Sequence, residues 1–291
     1  MARFRVVHRT TYEYGTPMAD GFTTAHLRPR ETSWQTVEDA ALAVEPEPDE
    51  RIDAVDVFGN FVTRFAVHRP HSSLVIESTV VVDIGLQPVP TESAPWESIA
   101  ATAAVATGDL ALEVGPYLAH TASTPRLDAL RGLTEPEFTP GRPVVEAVSG
   151  LCRRIFQTFQ FDPSFSDVST PLDAVMDGRR GVCQDFAHVA ASALRSVGLP
   201  ARYVSGYIET APPPGEPKLV GVDASHAWCS VWAGDLGWLD FDPTNNQMPP
   251  MRHPIVGWGR DYDDVAPVRG VVIGPPGSQS LHVSVDVAAL D

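Results

Sequence analysis

The run GRRGVCQDFAHVAASALRSVGLPARYVSGY, residues 178–207, carries a cysteine from a glycine-bearing turn into a helix and then into a strand. Phe186, Ala187, Ala190, Ala193, Leu194 and Val197 recur at spacings of three and four, which predicts a helix with one apolar stripe. Gly198 and Pro200 stop it. Cys183 lies on that stripe at the first turn, so its thiol is expected to face the protein interior. There the positive end of the helix dipole favours thiolate, and Arg179 and Arg180 stand just upstream. The competing reading is a buried, inert cysteine, and the stretch by itself is compatible with both.

A nucleophilic cysteine needs a base, and the base needs an orienter. Among nine histidines, His188 shares the helix but projects away from Cys183. His226 is the better candidate. It opens the strand SHAWCSVWA, where alternation puts His226, Trp228, Ser230 and Trp232 on one face and Ala227, Cys229 and Val231 on the other. If the next loop is Gly234–Leu236, Ala233 pairs with Gly237 and Trp228 comes level with Asp242. His226 then lies on the diagonal from Asp242, about 7–8 Å between backbones and within reach of a hydrogen bond. The same register sets Asp240 against Ser230, farther from His226. A two-residue loop would instead put His226 and Asp242 on opposite faces.

The rest of the chain frames this core. Its 291 residues suit two modest domains, and 43% hydrophobic with 20% charged residues describes a chain able to bury a core. A net charge of −16 argues against a nucleic-acid partner, which needs clustered Lys and Arg; Lys218 is the only lysine. No apolar run approaches the roughly 20 residues of a membrane span, and MARFRVVHRTTYEYG does not read as a signal peptide. Cys152, Cys183 and Cys229 are too few and too scattered for a disulfide framework, so a cytoplasmic setting is expected. Residues 1–90 carry short β-rich runs and read as an antiparallel β-sandwich-like domain, with a Gly59-Asn60 corner suited to positive φ. A Pro/Ser-rich linker follows near 85–97. Residues 91–291 read as helices followed by antiparallel strands, an α+β arrangement. The last run, LHVSVDVAAL, could complete either sheet. No CxxC pair, HExxH, Walker loop or dinucleotide fingerprint is present. Asp261, Asp263 and Asp264 could coordinate calcium, but a solvated loop is the simpler reading. Cys152 and Cys229 read as buried and inert; Tyr207 and the loop 211–223 are candidates for the border of a substrate groove.

GVCQDFAH, GLPARYVSGY, SHAW, GWLDFDPTNN and GRDYDDVAPVRG, in this order and spacing over about 155–275, resemble the bacterial transglutaminase-like proteins of the papain-like superfamily. The β-rich N-terminal part is similar to the N-terminal region these proteins carry. The resemblance implies a papain-like α+β core, with Cys183 as nucleophile, His226 as general base and acid, and Asp242 as orienter. It implies acyl transfer from a peptide or protein amide, hydrolysis ahead of crosslinking, and no cofactor or metal. The alternative is a binding or assembly module that keeps the fold and leaves the triad unused. Two positions depart from the expected pattern. Phe161 stands where relatives are expected to carry Tyr, and so offers no oxyanion hydrogen bond. Asp240 stands where a small or apolar residue is expected, and would raise the pKa of His226.

Overall fold

The structure, a computed structural model, describes residues 2–87, 90–209, 224–248, 250 and 252–290. The chain opens with six strands: β1 (Ala2–Met18), β2 (Asp20–Ala25), β3 (Gln35–Glu45), β4 (Glu50–Val55), β5 (Phe61–Val67) and β6 (His71–Ile84). Helices α1 (Trp96–Ala104), α2 (Gly108–Val114), α3 (Arg131–Thr134) and α4 (Val144–Thr158) follow, then the short β7 (Gln160–Phe161), α5 (Leu172–Gly178) and β8 (Arg180–Gly181). The expected cysteine helix is α6 (Cys183–Ser196), followed by β9 (Ala201–Ile208), β10 (Ala224–Trp232), β11 (Trp238–Phe241) and β12 (Ile255–Gly259). The chain closes with α7 (Tyr262–Val265), β13 (Val268–Ile273) and β14 (Gln279–Leu290).

Three four-stranded antiparallel sheets result, in the orders β14-β1-β6-β3, β13-β2-β5-β4 and β11-β10-β9-β12. The first two pack on each other through alternate apolar residues, among them Tyr14, Leu27, Phe65, Leu74 and Ile76, forming the β-module. The third carries the helices, with α6 buried against β9 and β10 through Phe186, Val189, Ala190 and Leu194. The β-module also draws strands from beyond residue 90. β13 and β14 lie in the sequence of the second half, yet each pairs with the β-module, β13 with β2 and β14 with β1. LHVSVDVAAL completes the first sheet because its alternating Val285 and Val287 fill the same core as Phe4, Val6, Val80 and Val82.

The two parts meet along β12, an edge strand of the third sheet, whose outer N–H and C=O groups would otherwise be unpaired. Two side-chain amides pair with them. Gln35 gives its Nε2–H to the Ile255 carbonyl at 2.8 Å and accepts the Ile255 N–H at 2.7 Å. Asn60 does the same for Trp258, at 2.9 and 3.0 Å. Each amide thus stands in for a neighbouring strand, and both residues are 1% exposed. At the corner only Gly59 takes positive φ, 79°; Asn60 departs from the expected pair because its amide is turned inward to β12. Gly257, between the clamped residues, leaves no room for a Cβ, which would collide with Asn60.

Tyr207 also lies in this interface. It is buried, with its hydroxyl 3.1 Å from His8 Nδ1, and so is core and not the border of a groove. The segment 211–223 lies outside the described residues. Among the described residues, no helix is long and apolar enough to cross a membrane.

Replacing Gln35 by Leu leaves both polar groups of Ile255 buried without partners, at about 1–3 kcal/mol each. Chemical denaturation is expected to find Gln35→Leu less stable than the parent by about 2–4 kcal/mol, whereas substitution of an exposed residue such as Val57, outside the clamp, changes stability little.

Candidate active site

Cys183 is the first residue of α6, partly exposed, and packs on Ala187, Tyr203, Ala227 and Val265 as the apolar stripe predicts. Val182 before it is extended, with φ −114°. The first turn is tied down by Asp185, whose carboxylate accepts the Val182 N–H at 2.7 Å and the Ser166 hydroxyl at 2.5 Å. Burial pushes the Asp185 pKa up despite these bonds. The turn before α6 is shaped by the short pairing of β7 with β8, which sets Phe161 beside Gly181. Phe161 is exposed there and carries no hydroxyl.

The hairpin from β10 to β11 has the register that a three-residue loop predicts. Gly234–Leu236 form a 3₁₀ turn, Trp232 pairs with Trp238, and Cys229 pairs with Phe241. His226 and Asp242 consequently share a face and meet, with His226 Nε2 2.8 Å from Asp242 Oδ2. Asp240 goes elsewhere. It sits opposite Ser230, accepts the Trp228 indole N–H at 3.2 Å, and is raised in pKa by its burial. The largest influences that hold a proton on His226 come from Asp242 and Cys183.

Asp242 is completely buried, yet five hydrogen bonds meet its carboxylate. Oδ1 accepts the backbone N–H of Thr244 at 2.8 Å and of Asn245 at 3.2 Å. Oδ2 accepts from His226, from Asn245 Nδ2 at 2.7 Å and from His253 Nε2 at 3.0 Å. Burial alone would favour the neutral acid, but the hydrogen bonds from the two imidazoles and Asn245 outweigh it and hold the pKa far below the usual carboxylate range. For His226, burial likewise opposes charge. Hydrogen bonds to Asp242 and to Cys183 reverse that and raise its pKa to about 10. The ring is therefore an imidazolium at neutral pH, with Nε2–H given to Asp242.

The remaining candidates are structural. His188 accepts the Tyr262 N–H at 3.1 Å and is pushed down to about 3 by burial. Cys229 is fully buried, and Cys152, raised to about 12 by burial, gives its thiol to the Asp242 carbonyl at 3.3 Å. The acidic triplet is spent within the protein: Asp261 caps α7 through the Asp263 N–H, Asp263 pairs with Arg269, and Asp264 with Arg260. Ligand atoms of His226, Asp242 and His253 lie within 4.8 Å of one another. A cation there would have to displace the hydrogen bonds that already converge on Oδ2. Sequence reasoning missed His253 and Asn245. Asn245 had a signal in its place just after Asp242-Pro243. His253 had none, since it stands in an irregular Pro-rich segment where no periodicity assigns a direction.

Residues 4–83 match the model of the bacterial transglutaminase-like N-terminal region, and residues 131–243 that of the transglutaminase-like superfamily. Over 298 residues the chain is 39% identical to the uncharacterized protein Rv2569c of Mycobacterium tuberculosis, covering 99% of this chain and 93% of that one. A 107-residue stretch is 34% identical to a protein-glutamine gamma-glutamyltransferase of Pseudomonas aeruginosa, covering 34% of this chain and 16% of that protein. A solved structure of a candidate cysteine protease from Cytophaga hutchinsonii has a TM-score of 0.76 at 22% identity, covering 100% of this chain and 91% of that one, a likeness of fold.

The raised pKa of His226 contributes stability that is fully present below about pH 6.5, the ordinary imidazole value, and is lost as pH rises toward its folded pKa of about 10. Asp242→Asn removes the charge that favours imidazolium. Ring titration by NMR is expected to find the His226 pKa lowered in this variant, with the window of pH-dependent stability narrowed from its alkaline side.

Proposed function

This chain belongs to the transglutaminase-like superfamily, and on that premise we propose that it is a thiol-dependent acyl-transfer enzyme that hydrolyses peptide or carboxamide bonds through Cys183, His226 and Asp242. The observation that carries this reading is His226 itself. One ring nitrogen is bonded to a buried carboxylate, and the Cys183 thiol at the start of α6 is among the groups that raise the pKa of the ring.

The chemistry follows from those positions. The Cys183 thiolate attacks the amide carbon, forming a C–S bond and an oxyanion that the Cys183 backbone N–H is placed to receive, since the first N–H groups of a helix lack partners within it. His226 delivers its proton to the departing nitrogen as the C–N bond breaks, leaving an acyl-thioester and a free amine. Neutral His226 then takes a proton from water, whose oxygen attacks the thioester carbon. The C–S bond breaks, the acid departs, and the thiolate–imidazolium pair is restored. Asp242 keeps the ring oriented throughout.

A groove of about 610 Å³ is lined by Gln184, the residue after Cys183 on α6, by Tyr262, and by Arg269 of β13 and Leu281 of β14. Its size is in the usual range for ligand clefts. It suits a polypeptide segment better than a single side chain, and the β-module then forms part of the substrate wall. Val168 and Leu281 in its lining are 66% and 57% exposed. The three cysteines are free, which suits a reducing, cytoplasmic setting.

The test needs no known substrate. Alkylation of Cys183 by iodoacetamide is expected to be fast at neutral pH and to slow markedly in His226→Ala. A profile indifferent to His226 would leave the fold as a binding or assembly module. Cleavage of an amide library is expected to fall on the order of a thousandfold or more in Cys183→Ala. Adding a primary amine to the same assay separates water from amine as acceptor by the mass of the product.

For the groove, Leu281→Asp is expected to slow a peptidyl vinyl sulfone about tenfold while leaving the iodoacetamide rate unchanged. Equal rates with the peptidyl reagent would take the groove out of substrate binding.

A further inference from the structure

We propose that His253 is a positioning residue for the Asp242–His226 pair, a neutral imidazole whose Nε2–H fixes the Asp242 carboxylate in the orientation that His226 requires. This rests on the reading of Cys183, His226 and Asp242 given above.

Among the described residues the ring has one polar contact, and that contact is to the orienting carboxylate. His253 Nε2 lies 3.0 Å from Asp242 Oδ2, the same oxygen that His226 Nε2 approaches at 2.8 Å. His253 is 5% exposed and meets the Trp228 ring edge-on, with centroids 5.2 Å apart and planes at 84°. Its Nδ1 is buried without a partner. An imidazole is a costly way to fill an apolar space, because the unpartnered nitrogen loses its hydration and gains nothing. A leucine would fill such a space without that loss. The Nε2–H bond to Asp242 is the contact that a leucine could not supply.

The backbone around His253 is held on both sides of the interface. The Pro254 carbonyl accepts the Tyr207 N–H at 2.9 Å. Ile255 is clamped at its N–H and C=O by Gln35 of the β-module. Gly206, the cross-strand partner of His226, makes the close approach possible, since a Cβ there would collide with the Pro254 carbonyl and the Trp228 ring. The β-module thereby reaches the catalytic carboxylate through a rigid chain of contacts: Gln35, Ile255, His253, Asp242.

The charge state of His253 matters to this role. Its ring centroid is 5.3 Å from that of His226, so a second imidazolium would repel the first. The ionisable groups facing it are Asp242 and His226. Its neighbour Arg252 is exposed and paired with Glu209, and Trp228, Asn245 and Gln35 bring no charge. Burial lowers the His253 pKa, which keeps the ring neutral while it donates. By taking part of the charge on Oδ2, it also moderates the pull of the carboxylate on the His226 proton.

The experiment compares His253→Leu and His253→Gln, because a glutamine Nε2 occupies nearly the place of a histidine Nε2. Two readouts are taken: the NMR titration of His226 and the rate of Cys183 alkylation by iodoacetamide at neutral pH. His253→Leu is expected to raise the His226 pKa and slow alkylation between about 10- and 100-fold, and His253→Gln to restore both. Should the leucine variant not fold, His253→Asn, too short to reach Oδ2, provides the same contrast. The idea is overturned if the short or apolar variant leaves both readouts at the parent value, or if glutamine behaves like leucine. Failure of the underlying enzyme reading looks different, because there His226→Ala leaves the alkylation of Cys183 unchanged.

Discussion

A completely buried carboxylate is the constraint around which this molecule is arranged. Removing an unpaired charge from water costs several kcal/mol even after relaxation, so Asp242 persists only because donors surround it. The turn after β11 supplies two backbone N–H groups, Asn245 an amide, and two histidines their ring N–H groups. Each donor fixes a piece of architecture. The turn must fold tightly after Pro243, β10 must hold its register against β11, and the segment bearing His253 must return from the far edge of the sheet. The electrostatic result is a ring at His226 that stays charged where a free imidazole would be mostly neutral.

The β-module then has a physical task in the site, besides the groove wall. The segment carrying His253 leads directly into β12, the edge strand of the third sheet, which pairs with β9 on one side only. Gln35 and Asn60 occupy that edge with amide groups that mimic a strand backbone, and a stack of cations and rings runs beside them. Arg30 lies 3.7 Å from the Trp258 ring, Arg202 lies 4.4 Å from the same ring, and Arg202 is 3.5 Å from Trp238. Buried contacts of this type contribute on the order of 0.5–2 kcal/mol each, and this series crosses from the β-module to the strand beside Asp240. Arginine fits the role because its flat guanidinium presents a face to each ring.

What the sequence made legible is what local periodicity and short-range register control. The stripe from Phe186 to Val197 placed α6 and turned Cys183 inward. The loop length at Gly234–Leu236 determined that His226 and Asp242 would share a face. The parts it concealed depend on contacts between residues far apart in the chain. Gln35 reads as an ordinary polar residue at the start of a strand until Ile255, 220 residues away, comes beside it. His253 lies in a proline-rich segment that offers no period to read. The alternation in residues 281–290 correctly marks a strand, but period alone cannot choose between two antiparallel sheets. The choice is made by the core that Val285 and Val287 fill with Phe4 and Val6. Tyr207 was misread for a related reason: a tyrosine on a strand next to a site can face a groove or an interface, and only the opposing surface decides.

The three cysteines show how environment, not residue type, assigns chemistry. Cys229 has no exposure and an environment of apolar side chains, so burial drives its pKa up and keeps it a thiol. Cys152 sits a turn of chain away from chemistry in space, its sulfur bonded to the backbone carbonyl of Asp242, and burial raises it to about 12. Neither has an imidazole in reach of its sulfur. Cys183 alone combines partial exposure, the first position of a helix and a charged ring held in place by a buried carboxylate. A thiolate is the nucleophilic form of cysteine, and stabilising it requires positive charge that does not itself leave for solvent. In the proposed reaction that charge is the His226 ring, held by its bond to Asp242. The same five hydrogen bonds that make a buried Asp242 tolerable also hold the His226 ring in its charged form, so the fold cannot relax one without loosening the other.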